Sequence, residues 1–184
     1  MTAPHQSLLG TSGAADTEET DAEFNQTVLL LHGDGTNGGQ NNTFVDSSTS
    51  NHTITRNGNA TQGTFSPFSL EDGYWSVAFD NASDITITHS SEFNAGTGAF
   101  TLEGFVYLKS IPHYTTLYSQ GYTNAGGILI QTGNGTSAFR AFIDTTSRFT
   151  LSSINLNEWV HIAIVRDGSG NMAGYINGVQ DQTC

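Results

Sequence analysis

The sequence FTLEGFVYL at residues 100–108 alternates in the manner of a β-strand, and WVHIAIVR at residues 159–166 does the same. Because successive side chains of a strand point to opposite faces, each stretch presents apolar groups on both faces. In the second stretch Ile162 and Ile164 share one face, and Ala163 lies on the other. Strands that are apolar on both faces are typical of layers in which neither face meets water. The two stretches therefore predict stacked antiparallel sheets.

Shorter runs of the same kind recur along the chain, separated by turns rich in Gly, Asn and Asp. We predict further strands at 28–32, 52–56, 74–79, 84–88, 115–120, 127–131, 138–143, 148–151 and 172–176. Residues 74–79 and 84–88 are expected to pair, residues 61–73 to form a surface loop, and residues 91–94 to form one helical turn. No segment keeps a helical period over three turns. Many short strands with turn signals between them predict a sandwich or jelly roll.

The charge balance narrows the classes of partner. The 184 residues include five Lys and Arg against 17 Asp and Glu, which gives a net charge of −12. Binding of nucleic acid or of an anionic membrane surface needs clustered cations, so neither partner is expected. Divalent cations suit such a chain, and so does simple solubility in salty surroundings.

Targeting and redox signals are sparse. Cys184 is the one cysteine, so no internal disulfide is expected. No apolar run approaches ~20 residues, and the first residues lack the basic and apolar regions of a secretion signal. Residues 1–26 are polar and acidic and are predicted to form a solvated arm or anchor, followed by one folded domain over residues 27–184.

Seven segments, taken in order, resemble one family: residues 28–34, 44–51, 75–79, 98–108, 117–121, 159–166 and 175–179. Together they are similar to the laminin-G-like, concanavalin A-like domain in its pentraxin or LamG type 3 form. The resemblance implies an all-β, two-sheet antiparallel jelly-roll sandwich. It also implies a binder of glycans or proteins, a calcium ion at the rim of the sandwich, and a setting in phage tail-fibre and virion surface proteins.

One departure from the resemblance concerns the end of the chain. Members of the family continue for some tens of residues beyond the segment at 175–179, whereas this sequence stops at Cys184. The last strands are therefore expected to be missing, and an open sheet edge is avoided in native proteins. A longer polypeptide, or another chain that covers the edge, would each account for this.

Candidate binding residues lie on the predicted loops. Asp34, Asp46 and Asn51 match polar positions near the first family loops, and their oxygen atoms suit calcium. The alternative is that both aspartates cap turns through their own backbone. Tyr114 and Tyr122 lie on loops that also carry Thr and Asn, of which Asn124 is one. A flat ring packs against the C–H face of a sugar, so these loops are candidate glycan sites.

Catalytic patterns are weak. Glu19, Asp21 and Glu23 have the spacing of the acids of concanavalin-like glucanases, but they lie in the arm, where no rigid strand fixes their separation. Glu103 has no acidic partner in the folded region, and His161 is expected to be a buried, hydrogen-bonded imidazole. We therefore predict a protein that is not an enzyme.

The sequence leads to three hypotheses of function. The first is a virion surface protein, in the capsid or a tail fibre, whose lectin-like domain binds a glycan or host-surface receptor and whose arm contacts other virion proteins. The second is a structural cement protein that assembles by its strand edges. The third, a glycan-active enzyme, needs paired acids that the folded region does not offer. Whether the chain forms a homo-oligomer stays open.

Overall fold

The computed structural model describes residues 23–33, 43–68, 75–111, 113–121 and 126–184. The strands found within them are β1 Ile54–Asn57, β2 Thr61–Gly63, β3 Ser76–Ala78, β4 Asp84–Ile87, β5 Phe100–Tyr107, β6 Thr116–Gln120, β7 Ile128–Thr132, β8 Phe139–Ile143, β9 Thr146–Thr150, β10 Trp159–Arg166, β11 Met172–Ile176 and β12 Val179–Thr183. Single turns of 3-10 helix span Phe24–Gln26 and Ser91–Phe93. The chain is therefore nearly all-β, as the alternation predicts.

The strands form two large sheets and two small ones. One large sheet has the order β12-β11-β10-β5 and the other β6-β7-β8-β9; the small sheets are the pairs β1-β4 and β2-β3. Every pairing is antiparallel. The two-sheet antiparallel jelly-roll sandwich predicted from the sequence is confirmed.

The main core lies between the two large sheets. The side chains that fill it from β5, β10 and β11 include Val106, Val160, Ile162, Ile164 and Met172, and those from the opposite sheet include Ile128, Ile130, Phe139, Ala141, Ile143 and Phe149. Burying each large apolar side chain stabilises the fold by about 1.5–3 kcal/mol. Alternate residues of each strand point into this core, so one face of each large sheet is buried.

A smaller core holds the N-terminal strands. Phe44, Ile54 and Ala60 are buried in it, and Ile85 and Ile87 of β4 pack against them. The small core explains why β4 pairs with β1 in this fold.

The predicted strand at 28–32 is reduced to one isolated bridge between Leu31 and Asp46. The carboxylate of Asp46 accepts the backbone N–H of Leu30 at 3.0 Å, and the Leu30 carbonyl accepts the N–H of Ser47. A side chain thus replaces part of the backbone ladder, and a regular strand does not develop.

Three further expectations need correction. The stretch expected to be a loop at 61–73 contains β2, and its residues 69–73 lie outside the described part of the chain. The strands expected to pair with each other do not, because β3 pairs with β2 and β4 with β1. The predicted strands end at 172–176, whereas the structure has a further strand, β12, which pairs with β11.

Arg166 fixes one end of β10. Its guanidinium donates to the carbonyls of Ala95, Gly96 and Gly98 at 2.7–3.1 Å and lies over the ring of Phe100. Three neutral acceptors satisfy the buried charge. Among the described residues, no helix has the length and apolar character needed to cross a membrane.

Candidate functional site

The outer face of the β12-β11-β10-β5 sheet is the first candidate site. The register pairs Trp159 with Tyr107 and His161 with Phe105, and these residues alternate with the core residues of the same strands. The sequence predicted that this second apolar face lies inside a layer. That expectation is wrong for Phe105, whose surface is 44% exposed.

Six rings assemble on this face, which we call the aromatic face. Four belong to β5 and β10, and two are supplied by the segment that follows β2; they are Phe65, Phe68, Phe105, Tyr107, Trp159 and His161. The face is therefore built by two parts of the chain that are far apart in sequence.

The rings make specific contacts. Phe65 lies edge-on to Tyr107 with centroids 4.8 Å apart, and 5.4 Å from Trp159. Phe68 lies edge-on to Phe105 at 4.9 Å. These distances fall in the favourable range for aromatic pairs, so the segment holding Phe65 and Phe68 is packed onto the sheet. The rings of both residues remain about half exposed.

A polar pair borders the rings. The ring of His161 lies 4.9 Å from that of Phe105, and its Nε2 atom is 3.4 Å from Glu103 Oε2. The sequence predicted a buried imidazole at His161, but its side chain is 23% exposed and faces an exposed carboxylate. The difference follows from strand parity, which places His161 on the outer face.

A cleft of about 430 Å³ continues the same face toward β12. Its lining includes Val165, Asp167, Ala173, Tyr175 and Gln180. The carboxylate of Asp167 accepts hydrogen bonds from the side chain and the backbone N–H of Asn171 and from the backbone N–H of Ser169. These hydrogen bonds lower the pKa of the Asp167 carboxyl, and the one from the Asn171 side chain has the largest effect. This network closes the hairpin predicted for residues 167–171.

The predicted glycan loops are only partly described. Tyr114 is 57% exposed at the start of β6, beside His113, whose Nδ1 lies 3.3 Å from Asn134 Oδ1. Tyr122 and Asn124 lie outside the described residues, beyond the other end of β6.

Of the residues predicted to bind calcium, Asp46 and Asn51 lie in the described part of the chain. Asp46 is buried, and its Oδ1 atom accepts from Leu30 and Ser48 while its Oδ2 atom accepts from His52. Asn51 is exposed with a φ of 47°, a turn conformation that asparagine tolerates. Asp34 lies outside the described residues.

Calcium needs six to eight oxygen ligands, and three N–H groups already occupy Asp46. Among the described residues, no three His, Cys, Asp or Glu side chains form a metal-binding group. Asp46 thus has the turn-capping role that was the alternative in the sequence, and calcium at Asp34, Asp46 and Asn51 stays a prediction.

Four carboxyl groups of the described residues have pKa values that are shifted by their hydrogen bonds. The general acid of a glycosidase has a raised pKa. The pKa shifts that can be assigned to described carboxyl groups are all downward, at Asp46, Asp80, Asp167 and Asp181. Of the acids noted in the arm, Glu19 and Asp21 lie outside the described residues, and the exposed Glu23 contacts Gln26.

The aromatic face was not predicted, because both apolar faces of these strands were expected to lie inside layers. Alternation alone cannot tell which of two apolar faces is covered. A useful signal was present: His161 and Glu103 share the parity of Phe105, and polar groups between rings indicate an outer face. The contribution of Phe65 and Phe68 had no such signal.

A family model described as the concanavalin A-like lectin/glucanases superfamily, of the laminin-G type 3, matches residues 79–184. This is more than half of the chain, so the chain belongs to that family. No curated protein matches the sequence.

Solved structures share the fold at low identity. The binding domain of botulinum neurotoxin DC in complex with rat synaptotagmin II is 18% identical, with a TM-score of 0.61, over 88% of this chain and 40% of that chain. The same domain in complex with SialylT is 19% identical, with a TM-score of 0.60 and the same coverage. A structure of botulinum neurotoxin type C, whose cell entry depends on interaction with two ganglioside molecules, is 16% identical. It has a TM-score of 0.62, over 88% of this chain and 39% of that chain.

These neighbours show the fold, and the first two are themselves binding domains. The chain spans about 40% of the length of the neurotoxin domains that it matches.

Proposed function

We propose that this protein is a non-enzymatic binding domain that recognises a glycan on a cell surface through the aromatic face. The observation that carries the proposal is the half-exposed ring of Phe105, flanked by Phe68 and by the His161–Glu103 pair. A ring offers an apolar platform to the C–H face of a sugar, and the pair offers a donor and an acceptor to its hydroxyls. The rings are held by one another, so little freedom is lost on binding.

Three observations support a binder over an enzyme. Glu103 is the carboxylate on the aromatic face, and Asp46, Asp80 and Asp181 are engaged in local hydrogen bonds elsewhere. The pKa values of Asp46, Asp80 and Asp181 are lowered, opposite to the direction that a general acid needs. The structural neighbours are complexes with a sialylated glycan or a protein receptor.

The sequence resemblance suggests where this binding domain is located. We propose a virion surface, with residues 1–26 contacting other virion proteins and the aromatic face turned toward the host. The cement hypothesis has one observation in its favour: β12 is an edge strand of its sheet, and Val179 at its start is 70% exposed. Exposed strand edges can pair with a further strand.

A glycan array with three purified variants tests the glycan proposal. We expect Phe105→Ala to lower the affinity for the glycans bound by the unmodified protein by about tenfold, which corresponds to ~1.4 kcal/mol. Tyr114→Ala distinguishes the loop predicted from sequence, and we expect it to leave the affinity unchanged. Phe79→Ala is the matched control, because Phe79 is 52% exposed but belongs to neither candidate site.

The opposite pattern would contradict the site. If Tyr114→Ala abolishes binding while Phe105→Ala does not, the glycan binds at the β6 loop. If the array binds nothing and the protein instead forms ordered oligomers, the cement hypothesis replaces the proposal.

A further inference from the structure

The aromatic face is one end of a longer track along β10. The residues of β10 that point outward are Trp159, His161, Ala163 and Val165. The first two lie in the aromatic face, and Val165 lines the cleft beside β12. Six residue-to-residue steps of the strand lead from Trp159 to Val165, which is about 20 Å. This length accommodates several sugar rings in a row.

The track has a floor and two sides at its centre. Ala163 is paired with Glu103 on β5 and with Tyr175 on β11. Ala163 is 6% exposed, so the floor is a buried methyl group that lies between the Glu103 carboxylate on one side and the Tyr175 ring on the other. Tyr175 also lines the cleft, so it joins the central part of the track to its far end.

The charges on the track select against anionic ligands. The outer faces of β5, β10 and β11 carry Glu103 and no Lys or Arg, and Asp167 lies at the far end. Arg166 at the end of β10 points inward and donates to three carbonyls. Carboxylate and sulfate groups are recognised by Arg and Lys, and the protein as a whole carries a net charge of −12. A sialylated or sulfated sugar would therefore meet Glu103 with no Lys or Arg on these strands to offset the repulsion.

We infer that the ligand is a linear, uncharged oligosaccharide that lies lengthwise along β10, from the aromatic face to the cleft, rather than a single terminal or acidic sugar. The inference rests on the proposed glycan-binding function. Phe105 and Phe68 stack one sugar ring at the first end, Glu103 and His161 bind hydroxyls, and Tyr175 contacts a ring farther along.

A graded array tests this inference. The probes are uncharged linear glucans, mannans, galactans and xylans of two to six units, printed beside sialylated and sulfated glycans. We expect the affinity for an uncharged series to rise with length. Tyr175→Ala should weaken binding of the longest probe about fivefold and leave the shortest unchanged, whereas Phe105→Ala should weaken both. The melting temperature of each variant is measured first, and Tyr175→Phe serves if the alanine variant does not fold, with recovery of binding expected because the ring is kept.

The outcomes separate the two proposals. Binding of a single terminal sugar without gain from length, or preferred binding of sialylated or sulfated probes, overturns the inference and leaves the glycan-binding function standing. Equal losses for short and long probes in the Tyr175 variant also overturn it. Absence of binding to every probe overturns the glycan-binding function itself.

Discussion

At the scale of single residues, Asp46 shows how one buried carboxylate organises a loop. It is 3% exposed, and three backbone N–H groups from two parts of the chain point at it. Burial alone would raise the pKa of Asp46, but the hydrogen bonds from Leu30, His52 and Ser48 outweigh it and lower the pKa below 3.8. The carboxylate is therefore held in its charged form by the folded structure.

We expect Asp46→Asn to lower the free energy of unfolding at pH 7 by about 2 kcal/mol, because the amide nitrogen would meet an N–H donor. The lowered pKa fixes the sign of the pH dependence. The stabilisation is complete above the unfolded-state pKa near 3.8 and is lost as the pH falls through the folded-state value. The difference between the two proteins should therefore shrink between pH 7 and pH 2.5, as measured by urea unfolding.

Glu158→Gln is the control for charge removal. Glu158 is exposed and accepts one hydrogen bond from Asn155 at 2.9 Å, which a glutamine oxygen can also accept. We expect no change in stability there. An Asp46→Asn protein as stable as the unmodified one at pH 7 would show that the carboxylate does not hold the loop.

At the scale of elements, the approach of β11 to the opposite sheet depends on Gly174. A Cβ atom at this position would lie 2.6 Å from Cε2 of Phe149 and would also clash with Leu151, both of which are buried. We expect Gly174→Ala to lower the free energy of unfolding by about 1–3 kcal/mol, because two core side chains must move. Chemical denaturation measures the change.

Gly104 offers the matched control on β5. It also faces the inner side of the sheet, paired with Ile162, but a Cβ atom there has nothing within 4 Å. Gly104→Ala should be neutral or slightly stabilising, because glycine is costly within a strand. Equal losses at both positions would mean that crowding is not what selects glycine in β11.

Alternation predicted most strands to within two residues, including β11 at Met172–Ile176, but it missed β2 and β12. The residues predicted for the strand at 159–166 are those of β10, because apolar positions there are dense and fix the phase. β12 has no apolar alternation, and it pairs with β11 through a turn at Asn177 and Gly178, both with positive φ. β12 forms by pairing with β11. The sequence pattern within β12 itself carries no information about that pairing.

The candidate site was predictable in kind but not in place. The sequence indicated aromatic residues as sugar platforms, but it placed them on the loops around β6. Phe68 reaches Phe105 across 37 positions of sequence. Which loop covers which sheet face is decided by the tertiary fold, and strand periodicity carries no information about it.

At the scale of the whole molecule, the region that matches the family model begins inside the folded unit. The match begins at residue 79, yet β4 within it pairs with β1 outside it, and Ile85 and Ile87 pack against the small core. We expect a fragment of residues 79–184 to be less stable than the full chain by about 2–4 kcal/mol, because those contacts are lost. Thermal unfolding and binding of a hydrophobic dye measure the effect.

A fragment of residues 27–184 is the control, because the 3-10 helix Phe24–Gln26 that it lacks contributes no buried side chain. It should unfold at the temperature of the full chain. A fragment of residues 79–184 that matches both would show that the small core adds nothing to the stability of the sandwich.

The shared construction of the aromatic face has a practical consequence. Phe65 and Phe68 precede the matched region and form no part of a large sheet, and the Ser76 hydroxyl that donates to the carbonyl of Phe65 ties them down. If the aromatic face binds the ligand as proposed, two strands of a large sheet supply one part of the site and the segment holding Phe65 and Phe68 supplies the other. Randomising residues 64–68 in a display library would diversify the ligands that the aromatic face accepts. The backbone hydrogen bonds of the two large sheets would stay intact.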